Sequence, residues 1–536
     1  MRMNTKPIIA MLFCCLILAS SCIKDLAKIK EVKLEEDLDS DWVIPLVKSK
    51  LELKSLLLDS LANFYIDGNG LYNVFYKAPP YSVSAKSLMS IPNINLASIS
   101  FGLSNQLNMT SWSGSVTDSF SAICNYNDGT GAQLQHIQLK AALLSGSIYV
   151  DFQHNFSGTV SFPSITKAGQ PLVLPVTINH PNSNFVINQS LADYTIDLTT
   201  VAPGYNRVPY IINYTLNGTG NAISGNNSII ANLEIKNISF GFADGFIGFR
   251  TFSVALDTVN IGIFKDISNA GIEFVNPTLL FDTRSSIGAS AKAYFNNFSA
   301  HLKDGTALPL TGSFFGNPLA FPGPTTIGAN AFNAYAADKN NSNIQSVISA
   351  GPSKFVGKIS AVINPSGTMP SYNFIADTSS VHIQTTLILP AWMRIDSSTV
   401  SKSFSLPDLP QDTSVIETLE IKVKVENAIP VTNKLQVYFE NASGNTIDSL
   451  FVGYPEIFPE ANVNSNGEII APATKYVIVK LTRQQYINIA SNAVNATIKS
   501  SFKTSGNGAV KIRDVDYINV NMAARALLKL SVKLTP

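Results

Sequence analysis

Five histidines hold most of the acid–base and metal chemistry open to this chain: His136, His154, His180, His301 and His382. None stands at metal-ligand spacing from another, and no His-Glu-x-x-His motif occurs. A Gly-x-Ser-x-Gly elbow, a P-loop and a dinucleotide fingerprint are also absent from the sequence. A Ser/His/Asp triad can still assemble from distant positions. Asp514 and Asp516 alternate like residues on one strand face, and a cleft would give two such carboxylates glycosidase geometry. With 37 acidic residues, pairs of this kind arise freely. Asn462-Val463-Asn464-Ser465-Asn466-Gly467 spaces its oxygens like a calcium loop. The twelfth position is Ala473, where a bidentate Glu is needed, so a polar hairpin turn is expected. The expectation is therefore no catalytic residue, no metal and no cofactor.

The cysteines are more informative. Ile8 to Leu18 is a short apolar run preceded by Arg2 and Lys6 and followed by small residues, the layout of a secretory signal. It is too short to make a good membrane span. Ala19-Ser20-Ser21-Cys22, with Leu18 just upstream, resembles a bacterial lipobox. That resemblance implies diacylation of the Cys22 thiol, cleavage before it and acylation of the new amino terminus. One acyl chain binds a membrane only marginally at about 0.8 kcal/mol per methylene, whereas two or three hold a protein there. Cys14 and Cys15 would leave with the signal, so Cys124 has no internal disulfide partner. With no His or basic cluster beside it, Cys124 reads as a small buried hydrophobe.

Composition suits an exported β protein. Charged residues make up 14%, below the usual quarter or so. The formal net charge of +1 gives no electrostatic case for nucleic acid. Eleven charged residues of both signs crowd between Ile23 and Asp41, a density found nowhere else in the chain, and the stretch reads as a solvated tether. The length of the remainder is enough for several cored domains.

Beyond the tether the chain alternates with period two. Ile148, Val150 and Phe152 form one row; Tyr194, Ile196 and Leu198 another; Tyr210, Ile212, Tyr214 and Leu216 a third; Ala231, Leu233 and Ile235 a fourth. Val381 to Leu389 and Leu528 to Leu534 repeat the pattern. Such rows predict half-buried strands. Asn217-Gly218 predicts a tight hairpin turn. Phe274-Val275-Asn276-Pro277 and Val425-Glu426-Asn427-Ala428-Ile429-Pro430, each followed by a Tyr-Phe pair, suggest two copies of one strand-turn-strand unit. Two helices are signalled, at 342–351 by Ser342 and Gln345 and at 482–490 by Thr482 and Gln485, both in capping-box spacing.

These elements predict a mainly β, multi-domain antiparallel body of sandwich type with two short helices on an N-terminal tether. The boundaries read as a signal peptide over 1–21, lipidated Cys22 and tether over 22–45, and β domains over 46–230, 231–390 and 391–536. A transmembrane barrel fits poorly with an anchor, a charged tether and helices.

The lipobox, Trp42-x-x-Pro45-Leu46, Phe274-x-Asn276-Pro277 and the helix-Pro unit from Ser342 to Pro352 together resemble envelope lipoproteins of Bacteroidota. The resemblance implies location more than chemistry. Ile23 stands where an Asp would retain a proteobacterial lipoprotein in the inner membrane, so the outer membrane is implied. Lys24-Asp25 is similar to a surface-export signal but is followed by Leu26 instead of a second acid, and the face stays open. Asp59-Ser60-Leu61, Asp257-Thr258-Val259 and Asp448-Ser449-Leu450 match the O-glycosylation sequence of that group, making Ser60, Thr258 and Ser449 candidate sites. About two such matches arise by chance in this length. The function expected is non-enzymatic binding or scaffolding, with the membrane held through Cys22 and an envelope protein as partner. The alternatives are a glycan-binding lipoprotein, a glycan hydrolase, and a carrier of an apolar ligand between sheets. Trp112, in a polar context, is the best exposed candidate for a glycan contact, although a packed core aromatic is the favoured reading of it.

Overall fold

The computed structural model describes residues 42–52, 63–104, 107–181, 183–262, 271–365, 373–406 and 416–528. The signal, Cys22, the charged run to Asp41 and Ser60 lie outside these residues, as does Lys529 to Leu534 of the last alternating run. The described chain is mainly β, with antiparallel sheets and four short helices.

Alternation accounts for the burial. Strand Arg207–Asn217 puts Val208, Tyr210, Ile212, Tyr214 and Leu216 into the core. It lies between Asn155–Lys167 and Ser115–Asn125 in a ten-stranded sheet. Two 18-residue strands, Gln133–Val150 and Ile229–Phe246, pair along this sheet, with Ile148 opposite Ala231 and Leu144 opposite Ile235. Gly146 lets them approach, because a Cβ there would collide with the backbone of Asn232 and Leu233.

Asn217-Gly218 is not a hairpin turn. Strand Arg207–Asn217 has its neighbours in Ser115–Asn125 and Asn155–Lys167, and the next strand, Ile229–Phe246, pairs elsewhere. Gly218 instead answers a close contact: a Cβ would lie 2.5 Å from the Trp112 carbonyl oxygen.

A six-stranded sheet and a five-stranded sheet face each other next along the chain. Strand Ser380–Pro390 is central in the first, paired with Thr278–Ser285 on one side and with Tyr72–Lys77 and Tyr81–Ser84 on the other. One continuous core runs from Tyr72 to Ile395, and a second from Ile421 to Met522. Hydrogen bonding crosses the sequence boundary at 230/231, since Ile229–Phe246 spans it and Asn373–Ala376 pairs with that same strand. The stretch assigned to tether up to residue 45 also changes, because Trp42 to Pro45 are already strand. Pro45 sits on a sheet edge beside a register shift, where a missing N–H is tolerated.

The two Asn/Pro segments each pass the chain from one sheet to another. Ile272–Phe274 belongs to a three-stranded sheet and Thr278–Ser285 to the six-stranded one; Ile416–Ala428 and Val431–Glu440 likewise divide between sheets. They are not copies of one unit. Tyr438-Phe439 lies on the first strand after its proline, but Tyr294-Phe295 lies on the second.

Helix Arg483–Asn492 carries the expected capping box, with Gln485 N donating to Thr482 Oγ1 and Thr482 N to Gln485 Oε1. Helix Ile344–Ser349 forms without one. Ser342 Oγ donates to the Asp338 carbonyl at 2.7 Å, and Gln345 Nε2 donates to the Phe274 carbonyl at 3.0 Å. Ser342 is thus held within its own turn, also accepting from Ile344 N at 3.4 Å, while Gln345 is drawn to a tertiary acceptor.

Candidate functional site

Trp112 is 7% exposed and not a surface platform. Its ring stands edge-on to His154 at 4.8 Å, and its backbone pairs with Asn221 and Gly220. The polar sequence context made it the best candidate for exposure, but it packs in the core, as the favoured sequence reading had it. Thr258 lies half-buried in strand Arg250–Asn260. Ser449 is half-buried, with its Oγ donating to the Phe451 carbonyl at 3.3 Å. Thr258, Ser449 and Trp112 lie on separate sheets or loops and form no common site.

Asp514 and Asp516 occupy a turn, not a strand face. Asp514 N donates to the Gly70 carbonyl at 2.9 Å. Asp516 is buried, and its Oδ2 accepts from Arg513 N at 2.7 Å. Burial pushes its carboxyl up to about 6, with Asp514 and Glu468 adding to the rise against Arg513. The Asn462 segment is a hairpin between Asn462–Val463 and Ile469–Ala471. Asn464 Oδ1 is taken by the N–H groups of Asn466 and Glu468 at 2.9 and 3.0 Å, as in an Asx turn.

The histidines divide the parts of a hydrolytic triad among themselves. His136 Nδ1 lies 2.9 Å from Oδ1 of Asp244, whose side chain is nearly buried, the arrangement that orients a catalytic imidazole. Its Nε2 faces Asp197 Oδ1 at 3.8 Å, and that oxygen already accepts from Thr199 Oγ1 at 2.6 Å. A carboxylate thus stands where a nucleophilic hydroxyl is required. The serine-bonded histidines are different ones: His301 with Ser299 at 3.1 Å and His382 with Ser380 at 2.9 Å. Sequence reading missed the His136 group because three separate strands bring it together.

Between the six- and five-stranded sheets lies an apolar slot lined by Phe252, Phe281, Ala291, Ala293, Ala361 and Ile363, among others. Alanines opposite phenylalanines leave space there. The space is about 50 Å³. An engineered apolar cavity of about 150 Å³ holds one benzene, so this slot is too small for an acyl chain as it stands.

Cys124 is 5% exposed, and burial pushes its thiol up to about 11. No helix among the described residues is long and apolar enough to cross a membrane.

No protein-family profile and no curated protein matches the chain. Among solved structures, a Parabacteroides distasonis protein provisionally described as secreted is similar at TM-score 0.29 and 12% identity over 53% of this chain and 89% of its own. A structure of infectious bursal disease virus, Gt strain, reaches TM-score 0.14 at 9% identity over 89% and 85%. The PBSX exported protein XepA reaches 0.11 at 12% over 61% and 98%. Similarities at these scores carry no argument about the fold or activity of this chain.

Proposed function

We propose that the chain is a lipoprotein anchored to the outer membrane through Cys22, acting as a non-enzymatic binding or scaffold component of a cell-envelope assembly. The observation that carries the reading is Ala19-Ser20-Ser21-Cys22 at the end of the apolar run. What supports it further is the way the chain joins its body. Strand Trp42–Glu52 is laddered to Tyr517–Leu528 from Trp42 opposite Ala526 to Glu52 opposite Tyr517. A tether entering there would transmit load into a paired sheet instead of a loose end. Two packed cores give rigid surfaces on which a partner can dock.

The test is acylation and partner capture. Labelled fatty acid should appear on the wild-type chain and not on Cys22→Ser, which should leave the membrane fraction. Unchanged acylation and retention of Cys22→Ser would overturn the anchor. Affinity purification from detergent-solubilised outer membranes, with a tag after Pro536, should yield a stoichiometric envelope protein. Recovery of the chain alone, together with binding on a glycan array, would replace the scaffold by the glycan-binding alternative.

A further inference from the structure

The four-stranded sheet has two unlike faces. Its strands run in the order Trp42–Glu52, Tyr517–Leu528, Ile416–Ala428, Ala473–Thr482. One face buries Ile421, Val425, Val477, Val479, Leu481, Ile518, Val520 and Met522 in the second core. The other carries Lys422, Lys424, Tyr476, Ile478 and Lys480, matched by register as Lys422 opposite Ile478, Lys424 opposite Tyr476 and Glu420 opposite Lys480. Tyr476 is 70% exposed and Ile478 51%, although each sits mid-strand in a regular ladder.

The charges on this face are mostly positive. Glu420 is buried and accounted for by Lys422 and Lys480 at 3.6 and 3.5 Å. Glu426 accepts from the Tyr517 hydroxyl at 2.8 Å. Lys424 Nζ lies 5.8 Å from the Tyr476 ring centroid. The rows extend by register across the neighbouring strands, where Lys48 stands opposite Asn521, Lys50 opposite Asn519, Glu52 opposite Tyr517 and Arg525 opposite Glu420. On strands Ile416–Ala428 and Ala473–Thr482, Lys422, Lys424 and Lys480 share these rows with two acids, Glu420 and Glu426.

Protruding aromatic and aliphatic side chains among lysines suit the headgroup layer of an anionic bilayer. The apolar tips enter the boundary, and the ammonium groups meet phosphates. The position in the chain agrees. The edge strand of this sheet begins at Trp42, 20 residues beyond Cys22. At about 3.3–3.6 Å per residue, that link cannot hold the sheet farther than about 70 Å from a bilayer.

We infer that the outer face of this sheet, centred on Lys422, Lys424, Tyr476 and Ile478, docks on a phosphate-bearing anionic lipid surface and sets how the body lies against the membrane. This rests on the anchored reading above for its biological setting, but the binding itself needs no acyl chain.

The test uses the chain from residue 22 onward with Cys22→Ser, so that no lipid contributes. Flotation is measured with phosphatidylcholine vesicles and with vesicles containing phosphatidylglycerol. Capture by the anionic vesicles only, weakened by salt, is expected. Lys422→Glu with Lys424→Glu should lower it at least about tenfold, since each lysine near the surface contributes about a fivefold factor. Tyr476→Ser with Ile478→Ser should lower it while leaving the salt dependence. Lys339→Glu with Lys354→Glu, an equal change of net charge on exposed residues elsewhere, should leave capture unchanged. Circular dichroism of each variant checks the fold. No capture, equal capture by both vesicle types, or equal loss from both lysine pairs would overturn the inference. Acylation of Cys22 without vesicle capture removes this face and leaves the anchor; capture without acylation does the reverse.

Discussion

Arg250 Nη2 stands 2.6 Å from Asp128 Oδ2, with the two side chains 12% and 3% exposed. Arg250 Nε also donates to the Ile247 carbonyl at 3.1 Å, and Asp128 Oδ1 accepts from Thr130 N and Oγ1. The pair ties the loop before strand Gln133–Val150 to the first residue of strand Arg250–Asn260, so it joins the ten-stranded sheet to the five-stranded one.

Removing one partner strands the other as a buried charge. Arg250→Ala should cost about 3–5 kcal/mol, read as a fall in the urea midpoint of the transition that includes these sheets. Arg250→Ala with Asp128→Ala should cost less than the sum of the single changes. Burial acts to raise the Asp128 pKa, but the Thr130 hydrogen bonds and the Arg250 charge outweigh it and hold the carboxyl below 3.8. The stability from this group is therefore present above 3.8 and is lost as pH falls through the lower folded value. Additive single changes would show that the two residues act separately.

Asp516 has the opposite sign. Its folded pKa of about 6 exceeds the ordinary 3.8, so the folded state holds the proton more tightly. The contribution is complete below 3.8 and is lost as pH rises to about 6. Asp516→Asn can still accept from Arg513 N. It should be more stable than the wild type at pH 7, with the difference shrinking toward pH 4. Thermal midpoints across that range check it, and a pH-independent difference would refute it.

The two helices should respond differently to loss of a hydroxyl. Thr482→Ala removes a working cap and should cost about 1 kcal/mol. Ser342→Ala removes a turn hydrogen bond, while Gln345→Ala should loosen the helix from strand Ile272–Phe274. Hydrogen exchange would show the second effect as faster exchange at Phe274 and Val275 without fraying at Ile344. Fraying instead would mean that Gln345 does cap the helix.

Cys124 should be inert in the folded protein. A buried thiol with its pKa near 11 carries almost no thiolate at neutral pH. A thiol reagent should label it only in denaturant, and rapid native labelling would contradict the burial.

Much of the β architecture was legible because a strand's burial pattern is local: Tyr210, Ile212, Tyr214 and Leu216 alternate in sequence, and they alternate in burial. Thr482 and Gln485 were legible for the same reason, since a capping box closes within one turn. Cys124 was read as a buried residue because no His or basic cluster stands beside it in sequence, and it is buried. Partners distant in sequence were not legible. Gln345 finds Phe274, 71 residues away, and leaves the box unformed. Trp112 finds His154, and His136 finds Asp244 and Asp197. The pairing of Trp42–Glu52 with Tyr517–Leu528 joins segments from opposite ends of the chain. Backbone hydrogen bonds are alike at every residue, so alternation says that a strand will bury one face but not which strand will lie beside it. Tertiary structure alone decided that the strand beginning at Trp42 enters a sheet whose outer rows hold Lys422, Lys424, Tyr476 and Ile478.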